Sequence, residues 1–360
     1  MAKKRRFGSQ LALLAALVAD LFTHGVPALD RSPSQLSLDA AFAAQAQVTE
    51  DWLARPGVVG TAVGLNGSGQ AVVKVYTTAL GAAALPQSVA GVPVIVEVTG
   101  RFVSYSDPPS NSVLLAEVGP GAKASDGSED GIDPKAGFPR PVPIGVSTGH
   151  PDITAGTIGA RVTDGNRIFA LSNNHVFANN NNGRAGDNLL QPGVADGGRN
   201  PDDALATLYD FEPIQFCGGI TCPFNKLDAA LALTTADDLG TETPEDGYGS
   251  PRSETMEATL GMRVQKYGRT TGHTVGRVTG INAIIDVNYR TGSARFEGQI
   301  IITDGSFSTG GDSGSLIVSK GLLAADRRPV GLLFAGSSTN TIANPIDLVL
   351  DRFGVTVDGG

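Results

Sequence analysis

Cysteine, histidine and aromatic side chains are scarce in this chain. Among 360 residues there are two cysteines, four histidines and one tryptophan, and aromatics make up 6%. Two cysteines with no matching set of histidine or cysteine ligands argue against a structural zinc site, and neither metal nor cofactor is expected. Cys217 and Cys222, in Cys-Gly-Gly-Ile-Thr-Cys, can close a small loop as a disulfide or stand as free thiols, depending on the compartment. Beyond the N-terminus no stretch approaches the ~20 apolar residues of a membrane span, and there is no repeat of solenoid period. Excess positive charge is absent as well. The net charge is −9, and since residues 1–28 carry +3 the remainder carries −12. A body that acidic repels phosphate backbones, which argues against a nucleic-acid partner.

Glycine, in contrast, is abundant at 47 residues, favouring tight turns between short strands. At the N-terminus, Lys3–Arg6 precede the apolar run Leu11–Ala19, and Val26-Pro27-Ala28 follows with small residues spaced as at a cleavage site. That is the order of a secretory leader over residues 1–28, although Asp20 interrupts it. A cytoplasmic amphipathic helix is the competing reading. Export, to the periplasm or outside the cell, is the expectation.

Residues 36–54 read as an Ala-rich helix stopped by Pro56-Gly57. The β-rich runs 58–65 and 71–76 flank Asn66-Gly67, a hairpin signal, and a third run covers 92–98. Residues 36–105 are therefore expected to form a small α+β domain without clustered catalytic groups, suited to packing, folding assistance or partner binding, with the rest of the chain as one possible partner. Residues 106–142 are rich in Gly, Pro, Ser and Asp and too poor in apolar groups to repay their ordering entropy, so a linker is expected there. From 143 to 360 short strands follow one another: Ile158–Thr163, Ile168–Leu171, Ala229–Leu233, Arg263–Tyr267, Val275–Ile281, Gln299–Thr303, Ser315–Val318 and Val330–Ala335. A helix is expected only at Asp347–Arg352. This is a mainly β, barrel-based domain.

Chemistry concentrates at Ser308-Thr309-Gly310-Gly311-Asp312-Ser313-Gly314-Ser315. A serine hydroxyl needs a neighbouring base to become a nucleophile. Flanking glycines let backbone N–H groups, here those of Gly311 and Ser313, approach a developing oxyanion. Taken alone, the same composition also fits an ordinary polar turn. Among the histidines, His24 lies in the leader region, while His150 and His273 sit in turns and read as surface residues. His175 ends an apolar strand, in Leu171-Ser172-Asn173-Asn174-His175-Val176-Phe177. By itself it could be a satisfied core histidine; paired with the serine motif it becomes the candidate base. The third member must be an acid that fixes the imidazole tautomer. Asp228 opens the apolar strand Leu227-Asp228-Ala229-Ala230-Leu231, 53 residues after His175 and 85 before Ser313. Asp203, 28 residues after His175, is the competitor and reads as a turn carboxylate.

These residues resemble a family. The order His, Asp, Ser with Asn-His-Val, Leu-Asp-Ala-Ala-Leu and Gly-Gly-Asp-Ser-Gly is similar to that of the chymotrypsin-like (trypsin-like) serine peptidases. Val264–Gly272 with Gly276-Arg277-Val278 resembles the bacterial branch that includes streptogrisins and alpha-lytic protease. The resemblance spans about 143–355. It implies two six-stranded antiparallel β-barrels with the site in the cleft between them, and hydrolysis of a protein or peptide substrate through an acyl-enzyme. In those terms His175 is the general base, Asp228 its orienter, Ser313 the nucleophile, and the Gly311 and Ser313 amides the oxyanion hole. Asp312 matches the acid that holds the oxyanion loop, with Lys266, or failing it Arg269, as its internal basic partner. The segment before the linker resembles the pro-regions of bacterial members. Three departures stand out. Asn174-His175-Val176 replaces Ala-His-Cys, removing a disulfide. Phe334 stands where a serine commonly supports the aspartate, so Asp228 is expected to be short of a hydrogen bond. Near the base of the primary specificity pocket falls Phe307, with no acidic residue, which argues against a Lys/Arg preference and for a neutral, apolar one. A peptide-binding or adaptor protein on a peptidase fold is the alternative.

Overall fold

The computed structural model describes residues 33–104, 131–323 and 326–360; the candidate leader, residues 1–28, lies outside them. The N-terminal part runs α1 (Pro33–Leu53), β1 (Val58–Leu65), β2 (Ala71–Thr77), β3 (Ser88–Val89), β4 (Val92–Val98) and β5 (Phe102–Ser104). The middle comprises β6 (Ser147–Thr148), β7 (Gly156–Thr157), β8 (Ala160–Thr163), β9 (Ile168–Ser172), α2 (Asn174–Phe177), β10 (Asn188–Leu190), β11 (Ala204–Phe211), β12 (Phe224–Asn225) and β13 (Ala230–Thr234). The C-terminal part holds β14 (Arg263–Gly268), β15 (Gly272–Tyr289), β16 (Gly292–Thr303), β17 (Leu316–Ser319), β18 (Pro329–Gly336), β19 (Asn340–Pro345), α3 (Ile346–Phe353) and β20 (Thr356–Val357). The protein is mainly β, as composition and turn spacing imply.

Six C-terminal strands close on themselves in the order β14-β15-β16-β19-β18-β17, with β17 returning to β14. Their inner face holds Val264, Val278, Ile302, Ile317 and Leu333. The other six-stranded sheet, β10-β11-β13-β9-β8-β20, runs as an open path in which the chain's last strand returns to pair with β8. Between the two, Leu171, Leu231, Leu316 and Leu332 pack with α3 residues Ile346 and Val349. Strands β9, β13, β17 and β18 are buried at nearly every position, so both faces of each are covered, one by its own sheet's interior and the other by this layer.

Two stretches differ from the sequence expectation. Residues 131–142, expected as linker, are fastened to the first sheet. The Val142 amide donates to the Asp238 carbonyl at 2.8 Å, the Phe138 amide donates to Gln191 at 3.0 Å, and Arg140 pairs with Asp238. Phe138 and Val142 bury enough apolar surface to offset their ordering. The second difference is the length of β15, expected to stop at Ile281. Asn282 adopts a left-handed φ of 51° in a bulge, and the strand then continues with Ala283, Ile285, Val287 and Tyr289 buried in alternation. Gln45 of α1 holds the bulge, donating to the Asn282 carbonyl at 2.9 Å and accepting from its side chain at 3.0 Å.

That extension joins the N-terminal part to the rest. β1 pairs antiparallel with β15, Gly60 facing Ile285 and Gly64 facing Gly280, so β1, β2 and β4 continue the C-terminal sheet. At the hairpin between β1 and β2, the Asn66 carboxamide oxygen accepts from the Ser68 and Gln70 amides at 3.0 and 2.9 Å, the turn that Asn-Gly predicts. The N-terminal strands β1, β2, β4 and β5 thus share one continuous sheet with the C-terminal strands β14–β19.

Candidate active site

Strand β9 ends at Ser172, and α2 carries His175 inward from that end. Asp228 precedes β13, which pairs with β9 so that Ala230 faces Ser172. The pairing brings base and acid together. His175 Nδ1 lies 2.5 Å from Asp228 Oδ2, and the His175 amide donates to Oδ1 at 3.2 Å. Both side chains are 0% exposed. His175 Nε2 is buried and has no hydrogen-bond partner among the described residues, which leaves it able to take a proton.

Ser313 lies in the turn before β17 and is itself buried. Its carbonyl accepts from the Thr157 amide at 2.8 Å, and the Gly314 amide donates to Leu333 at 2.8 Å. The serine turn is therefore clamped between β7 and β18. Its Oγ donates to the Phe334 carbonyl at 3.4 Å. Gly311 and Gly314 have φ of +94° and +96°, a region that costs any residue with a Cβ. A Cβ at Gly314 would meet Ser172 Oγ and the Thr157 carbonyl at 2.2 Å.

Asp312 points away from Ser313 into a cage. Its Oδ1 accepts from the Thr270 and Thr271 amides at 2.9 and 3.2 Å, and its Oδ2 from the Thr309 amide at 3.0 Å and the Thr271 hydroxyl at 2.8 Å. Lys266 Nζ lies 3.5 Å from Oδ2, with both side chains fully buried. Lys266 also donates to the Thr271 hydroxyl and, at 3.1 Å, to the Gly272 carbonyl. Burial pulls the lysine below its ordinary pKa, and Asp312 acts against that shift. Of the two basic candidates it is Lys266 that reaches Asp312. Arg269 instead forms a two-pronged pair with Asp196, both contacts at 2.6 Å.

The expected hydrogen-bond shortage at Asp228 does not occur. Tyr289, at the end of the extended β15, donates its hydroxyl to Asp228 Oδ2 at 2.9 Å. The Asp228 amide donates to Asn344 Oδ1 at 3.0 Å, and Asn344 in turn donates to Gln299 at 2.7 Å. Burial, reinforced by the Asp228 charge, raises the Tyr289 pKa well above that of an ordinary phenol, so the hydroxyl stays protonated as a donor. Neither Tyr289 nor Asn344 is marked by a motif; only a β15 long enough to carry alternation past Asn282 would have pointed to the tyrosine.

The remaining candidates fall as follows. The Asp203 carboxylate accepts from the Arg199 amide at 2.8 Å, a turn carboxylate. His273 is exposed and meets Gln265 at 3.0 Å. His150, expected at the surface, is buried, with its Nε2 3.2 Å from Asp187 Oδ2. Phe307 is buried among Val264, Ile302 and Ile317. Cys217 and Cys222 are joined in a disulfide. Among the described residues no group of three or more His, Cys, Asp or Glu side chains is placed to hold a metal.

A family model described as the Nal1 C-terminal domain matches residues 251–344. No curated protein matches the chain. Solved structures that it is similar to include a glutamic acid specific serine protease, at 22% identity, covering 60% of this chain and 100% of that one, with a TM-score of 0.43. Thermobifida fusca Protease A is 19% identical over 61% of this chain and 100% of its own, with a TM-score of 0.43. An alpha-lytic protease homolog, N4, is 19% identical over 60% and 99%, with a TM-score of 0.42.

Proposed function

We propose that this chain is a serine endopeptidase of the bacterial chymotrypsin-like branch, working through His175, Asp228 and Ser313. The observation that carries the reading is the buried 2.5 Å contact of His175 Nδ1 with Asp228, which leaves Nε2 as the free basic nitrogen. In the reaction Ser313 Oγ attacks the peptide carbonyl while His175 Nε2 takes its proton. The oxyanion is held by the Gly311 and Ser313 amides, on a loop braced by Asp312 and Lys266. Nε2 then protonates the leaving amine, and the acyl-enzyme ester forms as the C–N bond breaks. Water, deprotonated by His175, splits the ester and restores Ser313. Asp228 fixes the tautomer and stabilises the imidazolium. No metal or other cofactor enters these steps.

A second reading, a peptide-binding protein on a retired peptidase fold, is favoured by one observation. Ser313 Oγ donates to Phe334 rather than to His175, and all three side chains are buried. Labelling of the purified protein with a fluorophosphonate, compared with Ser313→Ala, separates the two. Labelling confined to the protein carrying Ser313 is the expected result. Absence of labelling in wild type, in the presence of mild denaturant that loosens the site, refutes the peptidase reading.

A further inference from the structure

The connection between β17 and β18 carries two leucines where a polar turn is the usual choice. Lys320-Gly321-Leu322-Leu323 leave β17, and Asp326-Arg327-Arg328 enter β18. Leu322 and Leu323 are 86% and 88% exposed, so both side chains stand almost wholly in water. Leu323 also holds a left-handed φ of 52°, and Arg327 one of 61°, a region that bulky side chains seldom take. A hydrogen-bonded base fixes the tip. The Asp326 amide donates to the Leu323 carbonyl at 3.1 Å, and the Arg327 amide to the Ser319 carbonyl at 3.0 Å. From outside the connection, the Arg252 guanidinium donates to the carbonyls of Asp326 and Leu323 at 3.0 and 3.3 Å.

Single exposed apolar residues are ordinary on a protein surface; this pair is set apart by the charge around it. Arg252, Lys320, Arg327 and Arg328 surround its base. The Lys320 amide donates to the Arg263 carbonyl at 2.9 Å, and Arg263 faces Arg277 across β14 and β15, which adds two exposed cations. Three acids accompany these six. Glu254 pairs with Arg328, and Asp326 accepts from the Gly321 amide and from Gln265, both at 3.1 Å. Glu257 follows Met256, whose amide donates to the Pro329 carbonyl at 2.8 Å. Six cations against three acids leave +3 here, on a chain whose net charge is −9. Arg263, Arg277, Lys320 and Arg327 have no acidic partner among the described residues.

We propose that this tip docks the protein on an anionic phospholipid bilayer, Leu322 and Leu323 entering the boundary between headgroups and acyl chains while the surrounding cations meet the lipid phosphates. An apolar point ringed by Lys and Arg complements a surface that is negative on top and hydrocarbon beneath. A nucleic acid would engage the cations and leave both leucines in water. The acidic remainder of the chain is repelled by the same lipid charge, which selects this one face for contact. Ser313 precedes β17 and the tip follows it; Ser319 lies six residues further on, about 20 Å along an extended strand. Docking therefore leaves the serine turn at the far end of β17 from the lipid. The inference goes beyond the peptidase reading and does not depend on it.

The test is sedimentation of the full chain with vesicles of phosphatidylcholine, alone or mixed with phosphatidylglycerol. Wild type is compared with Leu322→Ser/Leu323→Ser and with Arg263→Gln/Arg327→Gln, after melting temperatures have shown that all three fold alike. Wild type should bind the mixed vesicles, bind phosphatidylcholine far less, and be released by salt. The leucine variant should bind about 10-fold more weakly or worse, and the arginine variant roughly 5-fold more weakly per charge removed. Leu322→Trp supplies a second readout. Trp52, the chain's one tryptophan, is buried, so a blue shift of the added indole on mixed vesicles reports entry of the tip. Undiminished binding by the leucine variant overturns the proposal, because attachment then belongs to residues 1–28 or to charge alone. An indole emission that does not move, or no binding of wild type to mixed vesicles, overturns it as well. So does binding of duplex DNA that equals vesicle binding and survives Leu322→Ser/Leu323→Ser, which would reassign the patch to nucleic acid.

Discussion

The hydroxyl of Tyr289 donates to Oδ2 of Asp228, the same carboxylate oxygen that His175 Nδ1 meets. Two donors thus meet on one oxygen, one from the end of β15 and the other from α2. On the proposed peptidase reading, this tyrosine takes the supporting role that a serine at position 334 would have had. Tyr289→Phe keeps the ring in its cluster and removes only the donor. A hydrogen bond to a charged group is worth about 1.5–3 kcal/mol, so kcat/KM for a peptide ester should fall roughly 10- to 100-fold. The loss should appear in kcat with KM little changed, because the residue acts through Asp228 and not on substrate. An equal fall from Tyr289→Phe and Tyr289→Ala would locate the effect in the hydroxyl; a loss from alanine alone would make the residue a packing element.

Lys266 and Asp312 form a buried pair, and removal of one partner strands the other. Lys266→Met should destabilise the protein by about 3–5 kcal/mol, the usual consequence of an uncompensated buried charge, and disorder the loop that presents the Gly311 amide. The pH dependence has a definite sign. Burial lowers the pKa of Lys266 in the folded state, so between that value and the unfolded value of about 10.4 the unfolded chain binds more protons. Stability contributed by this group therefore rises with pH through that window and is lost as pH falls back through the folded pKa. The gap in melting temperature between wild type and Lys266→Met should be present at neutral pH and widen as pH is raised to about 10.4.

The two glycines flanking Asp312-Ser313 differ in what surrounds them. A Cβ at Gly314 would strike Ser172 Oγ and the Thr157 carbonyl, both held in the inter-sheet clamp, whereas one at Gly311 would meet the ends of Arg269 and Thr270 side chains at 2.5 Å. Both sites carry positive φ, which costs of order 1–3 kcal/mol for a residue with a side chain. Gly314→Ala should thus lower the melting temperature more than Gly311→Ala. On the proposed peptidase reading, activity should respond in the reverse sense per unit of stability lost, since the Gly311 amide would then serve the oxyanion. Chemical denaturation alongside ester hydrolysis of both variants reads out the order.

How much of this was legible in the sequence follows from where the information sits. Short apolar runs between turns marked five of the six strands that close into a barrel, all but β19, and motif order singled out His175, Asp228 and Ser313 because each lies within a few residues of its own signal. Lys266 was reached through its place in the resemblance. The rest depends on contacts between distant segments. Tyr289 lies 61 residues from Asp228, past a bulge at Asn282 that breaks the alternation which would have revealed it. The union of β1 with β15 pairs two strands whose faces are each plausible alone. Residues 131–142 are poor in apolar groups, and their ordering rests on the burial of Phe138 and Val142 together with the hydrogen-bond partners Gln191 and Asp238, none of which the segment's own composition reveals. A three-residue strand such as β5 is too short to carry any period.

Arg269 supplies a contrast that isolates the oxyanion brace. Its guanidinium is held by Asp196, which also accepts from the Ser147 hydroxyl at 2.5 Å, while its amide donates to Thr157 Oγ1 at 3.1 Å and the Thr157 hydroxyl donates to the Gly311 carbonyl at 2.9 Å. The side chain thus ties the turn at Asp196 to β14, but the link to the Gly311 loop runs through backbone and threonine. Arg269→Met leaves the buried Asp196 carboxylate without its cation, a change that costs about 3–5 kcal/mol. Asp312 keeps all four of its hydrogen-bond donors, since none comes from the Arg269 side chain. Stability should therefore fall while kcat/KM at a temperature where the variant is folded changes less than in Lys266→Met. The double variant Arg269→Met/Asp196→Leu, which removes the stranded charge, should recover part of the loss. An activity defect in Arg269→Met as deep as that of Lys266→Met would assign the brace to both cations.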